Sequence, residues 1–183
     1  MKTREELEAG LAQIRSAPAD HGLLHMIVRR PAISGREVLE EAALDSAEGL
    51  VGDTWNRRKS PRTADGSPHP EMQLTVMGTR AVELVAGDRE RWPLAGDQLY
   101  VDLDLSGANL PPGTQLEIGE AIIEVSTLPH TGCDKFVSRF GLDAMKFVNS
   151  PLGRSLNLRG INAWVVRPGR IRPGDVVRKV AQR

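Results

Sequence analysis

The stretch Leu99-Tyr100-Val101-Asp102-Leu103-Asp104-Leu105 places an aliphatic residue at every second position, the cleanest alternation in the chain. Successive strand side chains point to opposite faces, so this is the pattern of a strand with one buried face. Working outward, Pro111-Pro112-Gly113 reads as a turn, and strands are expected over Leu116–Ile118 and Ala121–Thr127. Upstream, Met72, Leu74 and Val76 alternate with Gln73 and Thr75, while Leu24, Met26 and Val28 alternate with Leu23, His25 and Ile27 up to Pro31. Further strands are expected near Val38–Leu44, at Ile161–Val166 and at Val176–Val180, with turns at Pro168-Gly169 and Pro173-Gly174. Many short strands between turns, with no β-α-β alternation, point to a mainly β protein built as a closed or nearly closed barrel.

Helices are the minority. Thr3-Arg4-Glu5-Glu6 reads as a capping box, with Leu7, Leu11 and Ile14 on one face behind it. Residues 1–20 are therefore expected to form a short helical extension, and residues 21–183 the barrel domain. Thr79 is expected to cap a helix through Val85 that Gly87 closes, and residues 134–158 read as helix in pieces, with Ser150-Pro151 as an N-cap and first-turn pair. Residues 56–70 are polar, basic and rich in Ser, Pro and Gly, which marks a mobile loop.

Composition narrows the function classes. The chain has 183 residues, enough for one domain with a sizeable core. Aromatics make up only 4%, which argues against a stacking platform for single-stranded nucleic acid. The formal net charge is zero, so no whole-molecule attraction to nucleic acid or a membrane surface is expected. Residues 154–183 nevertheless carry eight basic side chains, Arg183 among them, against a single acidic one, Asp175. A small anionic ligand can use that bias, and a solvated strand face explains it as well. No apolar run is long enough for a membrane span, and the N-terminus shows no apolar signal region. One cysteine excludes an intramolecular disulfide and a Cys-x-x-Cys pair, which fits a reducing cytoplasm.

That cysteine, Cys133, is the sharpest chemical signal. It lies in His130-Thr131-Gly132-Cys133-Asp134-Lys135, after an apolar strand and before an expected helix. A thiol at a helix N-terminus feels the positive end of the dipole, and His130 and Lys135 can add positive charge while Asp134 opposes it. A thiolate can act as nucleophile, carry sulfane sulfur or bind a soft metal, while free cysteine also serves as a small core residue. His130 can orient or deprotonate Cys133, or face away from it. Arg154, Arg159 and Asn162 are candidate contacts to an anionic ligand, because guanidinium matches phosphate geometry. Asn109 can serve a pocket or a turn, and Asp102 and Asp104 read as the wet face of a strand. No Walker A or dinucleotide-binding glycine pattern is present.

An ordered set of short segments resembles the MOSC domain, named for the C-terminal domain of molybdenum cofactor sulfurase. Gly49-Leu50-Val51-Gly52-Asp53 is similar to its first glycine–aspartate turn, and Asn109-Leu110 with Leu116-Glu117-Ile118-Gly119 to its central stretch. Ile123-Glu124-Val125 leading to Cys133 is similar to the strand before its cysteine; Arg159-Gly160 and Gly169–Asp175 are similar to its closing strand and turn. The resemblance covers roughly residues 24–180 and implies a MOSC-like β-barrel with helical insertions, of the stand-alone bacterial type, with the cysteine at a pocket. It implies molybdenum cofactor binding, with Cys133 as catalytic residue, metal ligand or persulfide carrier beside His130. Asp53, Asn109, Thr131 and Lys135 would then contact the cofactor, together with Arg154, Arg159 and Asn162. Reduction of N-hydroxylated compounds is implied as well, with an external electron donor or desulfurase as partner. Pyridoxal phosphate belongs to family members fused to a desulfurase, and no Schiff-base lysine for it is expected in this chain. The sequence departs from the family in having Gly132 where proline often precedes the cysteine, and Thr54-Trp55 where histidine often follows the aspartate. Those departures favour the alternative of a non-catalytic binding or adaptor module on the same barrel.

Overall fold

Alternation in the sequence becomes a closed barrel in the computed structural model, which describes residues 1–181; Arg183 lies outside the described residues. In chain order the elements are α1 (Arg4–Ala9), α2 (Leu11–Arg15), β1 (Gly22–Arg29), β2 (Glu37–Leu39), β3 (Ala42–Asp45), β4 (Gly49–Leu50), β5 (Leu74–Gly78) and α3 (Thr79–Ala86). They continue with β6 (Leu99–Asp102), β7 (Gln115–Ile118), β8 (Ala121–Pro129), α4 (Asp134–Phe140), α5 (Leu142–Asn149), α6 (Pro151–Ser155), β9 (Ile161–Arg167), β10 (Gly169–Ile171) and β11 (Val176–Lys179). Strands run β11-β7-β8-β9-β5-β6-β1, and β1 pairs back with β11 to close a seven-stranded barrel. Strand β2 extends the sheet beyond β1, and β10-β3-β4 form a separate small sheet.

The barrel is packed solid. Leu24, Ile27, Val76, Leu99, Val101 and Ile123 are among the fully buried side chains of one aliphatic cluster. A filled barrel of this size leaves no lumen for a guest, so any ligand must bind outside it. Against the outer wall a second cluster gathers Met26, Val28, Met77 and Tyr100 from the strands with Leu7, Val82, Phe136 and Phe140 from the helices.

Several local expectations are corrected. Met26 and Val28 face the helices rather than sharing the barrel interior with Leu24, because the register of β1 against β6 shifts between Leu24 and Met26. One extra residue at such a bulge reverses the parity of everything after it. The N-terminal helix breaks in two at Gly10, where a Cβ would sit 2.4 Å from Leu84 Cδ1. The cap of α3 is Gly78 instead of Thr79, since β5 runs into the helix with no intervening loop. One β-α-β unit is present after all: β5 and β6 pair in parallel, joined by α3 and a 3₁₀ segment, Arg89–Ala95.

Gly160, just before β9, adopts a φ of +100°, and a Cβ there would lie 2.3 Å from Val76 O. Gly160→Ala is therefore expected to cost about 1–3 kcal/mol in stability. Urea denaturation checks this; an unchanged midpoint would show that β9 does not enter so close to β5.

Candidate functional site

Strand register brings one set of residues to a single rim. Ile27 pairs with Leu99, Val76 with both Leu99 and Ile161, and Pro129 with Ile161. Arg30 beyond β1, Asp97 before β6, His130 beyond β8 and Arg159 before β9 therefore emerge together. Asn162, early in β9, is buried beside them, and its amide donates to Leu128 O at 3.1 Å.

Two buried ion pairs anchor this rim. Arg159 Nη1 lies 2.6 Å from Asp97 Oδ2, and its Nη2 donates to Ala95 O at 2.9 Å. The same guanidinium sits 5.0 Å from the ring centre of Phe136, under the first turn of α4. Asp53 accepts from Arg30 Nε and Nη2, both at 2.8 Å, and from the backbone N–H groups of Arg30 and Trp55. Burial pushes the Asp53 carboxyl up, but Arg30 and the two backbone donors outweigh it and hold the group below the usual carboxylate range. With its oxygens so engaged, Asp53 fixes Arg30.

His130 turns its Nδ1 toward Asp97 Oδ1 at 3.4 Å. Burial, reinforced by Arg159 and opposed by Asp97, pushes its pKa down to about 3. The imidazole is thus neutral at ordinary pH and does not lend Cys133 the positive charge expected from sequence. No hydrogen bond joins His130 to Cys133 among the described residues. Four buried side-chain atoms here make no well-formed hydrogen bond: Asp97 Oδ1 and His130 Nδ1, which face each other, and Arg159 Nε and Asn162 Oδ1, which have no partner. Buried polar atoms are nearly always satisfied, so the two with no partner, Arg159 Nε and Asn162 Oδ1, mark a place prepared for something polar.

Cys133 is exposed and forms the N-cap of α4, its carbonyl accepting from the N–H groups of Phe136 and Val137. Asn149 at the end of α5 clasps the residue before it: Gly132 N–H donates to Asn149 Oδ1 at 2.8 Å, and Asn149 Nδ2 donates to Gly132 O at 3.0 Å. A Cβ on residue 132 would meet Val148 Cγ2 at 3.1 Å. This explains the departure at Gly132, since proline there has neither the N–H nor the room. Arg154 is anchored through Nε to Asn149 O, which holds it near the same loop. Thr131 and Lys135 flank the cysteine, both exposed.

Asn109 is not part of this assembly. It lies beyond the far end of β6, donates to Ala19 O and Asp104 O and accepts from Lys179, so the structure places it in a turn away from Cys133. Asp102 likewise pairs with Arg80. Two hollows on the surface also lie elsewhere. One of about 30 Å³ sits between α2, α3 and the end of β6, and one of about 440 Å³ between α1, α5 and α6; Cys133 lines neither. Sequence reading missed Arg30, Asp97 and Asn149, whose partners lie 23, 62 and 17 residues away.

The MOSC domain family matches residues 73–178. Three solved structures share the fold. The YuaD protein from Bacillus subtilis is 17% identical with a TM-score of 0.61, the match covering 88% of this chain and 97% of that one. YiiM from Escherichia coli is 20% identical with a TM-score of 0.58, covering 88% and 71%. YiiM from Geobacillus stearothermophilus is 15% identical with a TM-score of 0.55, covering 87% and 73%. No curated protein matches the sequence.

Proposed function

This chain belongs to the MOSC domain family, and from that premise we propose that it is a molybdenum-cofactor-binding module in which the Cys133 thiol supplies the protein's ligand to the metal or carries sulfur. The observation behind this reading is the pairing of an exposed thiol with a rim of orphaned polar atoms. The donor set fits such a group. Among the described residues no cluster of three or more His, Cys, Asp or Glu side chains could hold a bare metal ion. A metal that arrives with its own organic chelator needs only one soft ligand from the protein, and Cys133 offers it. Arg159 Nε, Asn162 Oδ1 and the neutral His130 offer a donor, an acceptor and an imidazole to a polar heterocycle. Arg154, Thr131 and Lys135 are placed to add contacts at the loop.

When bound, the molybdenum centre supplies two-electron redox chemistry. Reduction of an N-hydroxylated compound to the N–H product consumes two electrons and two protons and releases water. Its electrons would come from a separate donor protein, and a sulfur load would come from a separate desulfurase. This chain's own part is to hold Cys133 at the rim by the Asn149 clasp, to keep His130 neutral by burial, and to hold Arg159 in place against Asp97.

The test is elemental analysis with intact mass, on protein purified from a host that makes the cofactor. The wild type is expected to carry molybdenum, or a mass increment of one sulfur atom, and Cys133→Ser to lose at least nine-tenths of that load with an unchanged melting temperature. Equal loading of Cys133→Ser would remove the cysteine from the proposal. A wild type carrying neither load would overturn it and leave the adaptor reading.

A further inference from the structure

The end of β8 carries more residues than the strand beside it. Val125 pairs with Ala163 and Pro129 with Ile161, so Ser126, Thr127 and Leu128 all stand against the single residue Asn162. A bulge of this kind takes backbone groups out of the sheet's own ladder, and each must find another partner. Thr127 N–H donates to Glu71 Oε2 at 3.2 Å, Leu128 N–H to Ser126 Oγ at 3.0 Å, and Leu128 O accepts from Asn162 Nδ2 at 3.1 Å. The Ser126 and Thr127 hydroxyls donate to the same Glu71 oxygen, at 3.0 and 2.6 Å. One carboxylate oxygen thus gathers three donors from the bulge.

Glu71 is itself held in place. It lies in the 3₁₀ turn Pro70–Met72, and its N–H donates to Nδ1 of His69, the cap of that turn, at 3.2 Å. The Thr127 hydroxyl, helped by Ser126 and the Thr127 N–H, outweighs desolvation and holds the Glu71 carboxyl below the usual carboxylate range. An ionised acceptor makes these hydrogen bonds stronger than a neutral one does. The need to satisfy buried atoms does not explain the arrangement. Thr127 is exposed and Glu71 only half-buried, so water could serve the Thr127 groups as well. What water cannot do is fix the path of the bulge.

That path decides the state of Asn162. A carboxamide carries its donor and its acceptor at opposite ends. Leu128 O takes the donor end and leaves Oδ1 buried without a partner, on a residue only 1% exposed. The same bulge leads the chain on to Pro129 and His130. We infer that Glu71 is a positioning residue for the rim: by holding the Ser126–Leu128 bulge it fixes the Asn162 amide with its acceptor oxygen free for a bound ligand. Among the described residues Glu71 makes no hydrogen bond to Asn162, His130 or Cys133, so it acts through the end of β8. The inference rests on the reading that a polar ligand occupies this rim, but the hold on Asn162 is measurable without one.

The first measurement is nuclear magnetic resonance of isotope-labelled, cofactor-free protein, with Asn162→Ala identifying the Asn162 side-chain amide signals by their loss. In the wild type that amide is expected to exchange its protons slowly with solvent. In Glu71→Ala the exchange should quicken about tenfold or more. Glu71→Gln keeps a neutral acceptor and should change it less, and the melting temperature of both variants should stay within about 4 °C of wild type. The second measurement is molybdenum loading in a host that makes the cofactor. Glu71→Ala should load about tenfold less than wild type, and the double variant Glu71→Ala/Asn162→Ala no less than Asn162→Ala alone, because Glu71 acts through Asn162. Unchanged exchange at Asn162 in Glu71→Ala, or loading losses that simply add, would overturn the inference. A wild type that carries no metal sinks the proposed function instead, and the exchange rates alone then decide the role of Glu71. Should Glu71→Ala not fold, Glu71→Gln and Thr127→Val, which removes the 2.6 Å hydrogen bond and keeps the backbone donor, carry the same comparison.

Discussion

Asp97→Ala should destabilise this protein by about 3–5 kcal/mol, the range seen when one member of a buried ion pair is removed. Asp97 is fully buried and, among the described residues, is the only carboxylate within ion-pair distance of Arg159. Without it, a buried arginine keeps one carbonyl, the Met77 sulfur and the face of Phe136 as partners. Neither replaces the lost charge. His130 sharpens the test, because its depressed pKa is a stability statement. A histidine whose folded pKa lies below its unfolded value of about 6.5 contributes a stability that is complete above that value and is lost as pH falls toward 3. Arg159 is one cause of that depression and Asp97 opposes it. Removing Asp97 should therefore push His130 lower still and steepen the acid limb below pH 6.5. Chemical denaturation at several pH values, with His130→Gln as the reference that flattens this contribution, reads both effects. Joint replacement with Asp97→Leu and Arg159→Met should recover most of the lost stability, since apolar substitutes of similar volume often match a buried pair. Recovery of fold without recovery of cofactor loading would show that the pair is retained for the site. A penalty for Asp97→Ala below about 1 kcal/mol would mean that water reaches Arg159 freely and that the ion pair is not buried as a unit.

How much of this was legible beforehand depends on whether the interaction is local. The barrel was, because period-2 alternation in Leu99–Leu105 and the proline–glycine turns are properties of neighbouring residues. Cys133 was, as the only thiol and at a strand end. Its glycine neighbour looked like a loss of function, and only the position of Asn149 shows it to be one half of a clasp. The inside-out assignment along β1 failed because a bulge leaves no mark in an unbroken apolar run. Asp97 was invisible for a different reason: its charge acquires meaning only beside Arg159, 62 residues later. The run of carbonyls from Pro93 to Gly96 has no sequence signature at all, since its acceptors are backbone and its donors, Arg30, Arg36, Arg139 and Arg159, come from three separate segments.

Gly132→Pro restores a residue that the family often carries before the cysteine, and here it should do harm. Proline removes the N–H that reaches Asn149 Oδ1, and its ring adds atoms where a Cβ alone would stand 3.1 Å from Val148 Cγ2 and 3.4 Å from Met145 Cγ. A hydrogen bond unmade at a part-buried acceptor costs about 1–3 kcal/mol, so the global fold survives. The loop carrying Cys133 does not keep its place. Loading of metal or sulfur at Cys133 is therefore expected to drop at least tenfold, far more than the change in melting temperature would suggest. Gly132→Ala separates the two causes, because it adds the Cβ and keeps the donor; its effect should be smaller. Asn149→Ala removes the clasp from the other side, leaving residues 130–133 unaltered. If Gly132 and Asn149 act as one unit, the stability losses of Gly132→Pro and Asn149→Ala must sum to more than the loss of the double variant, because the bond from the residue 132 N–H to Asn149 Oδ1 can be lost only once. That coupling is measurable by denaturation alone, on protein with no cofactor, so it stands or falls independently of what Cys133 binds. Strict additivity would mean that α5 does not hold the loop, and the position of the thiol would then need another cause.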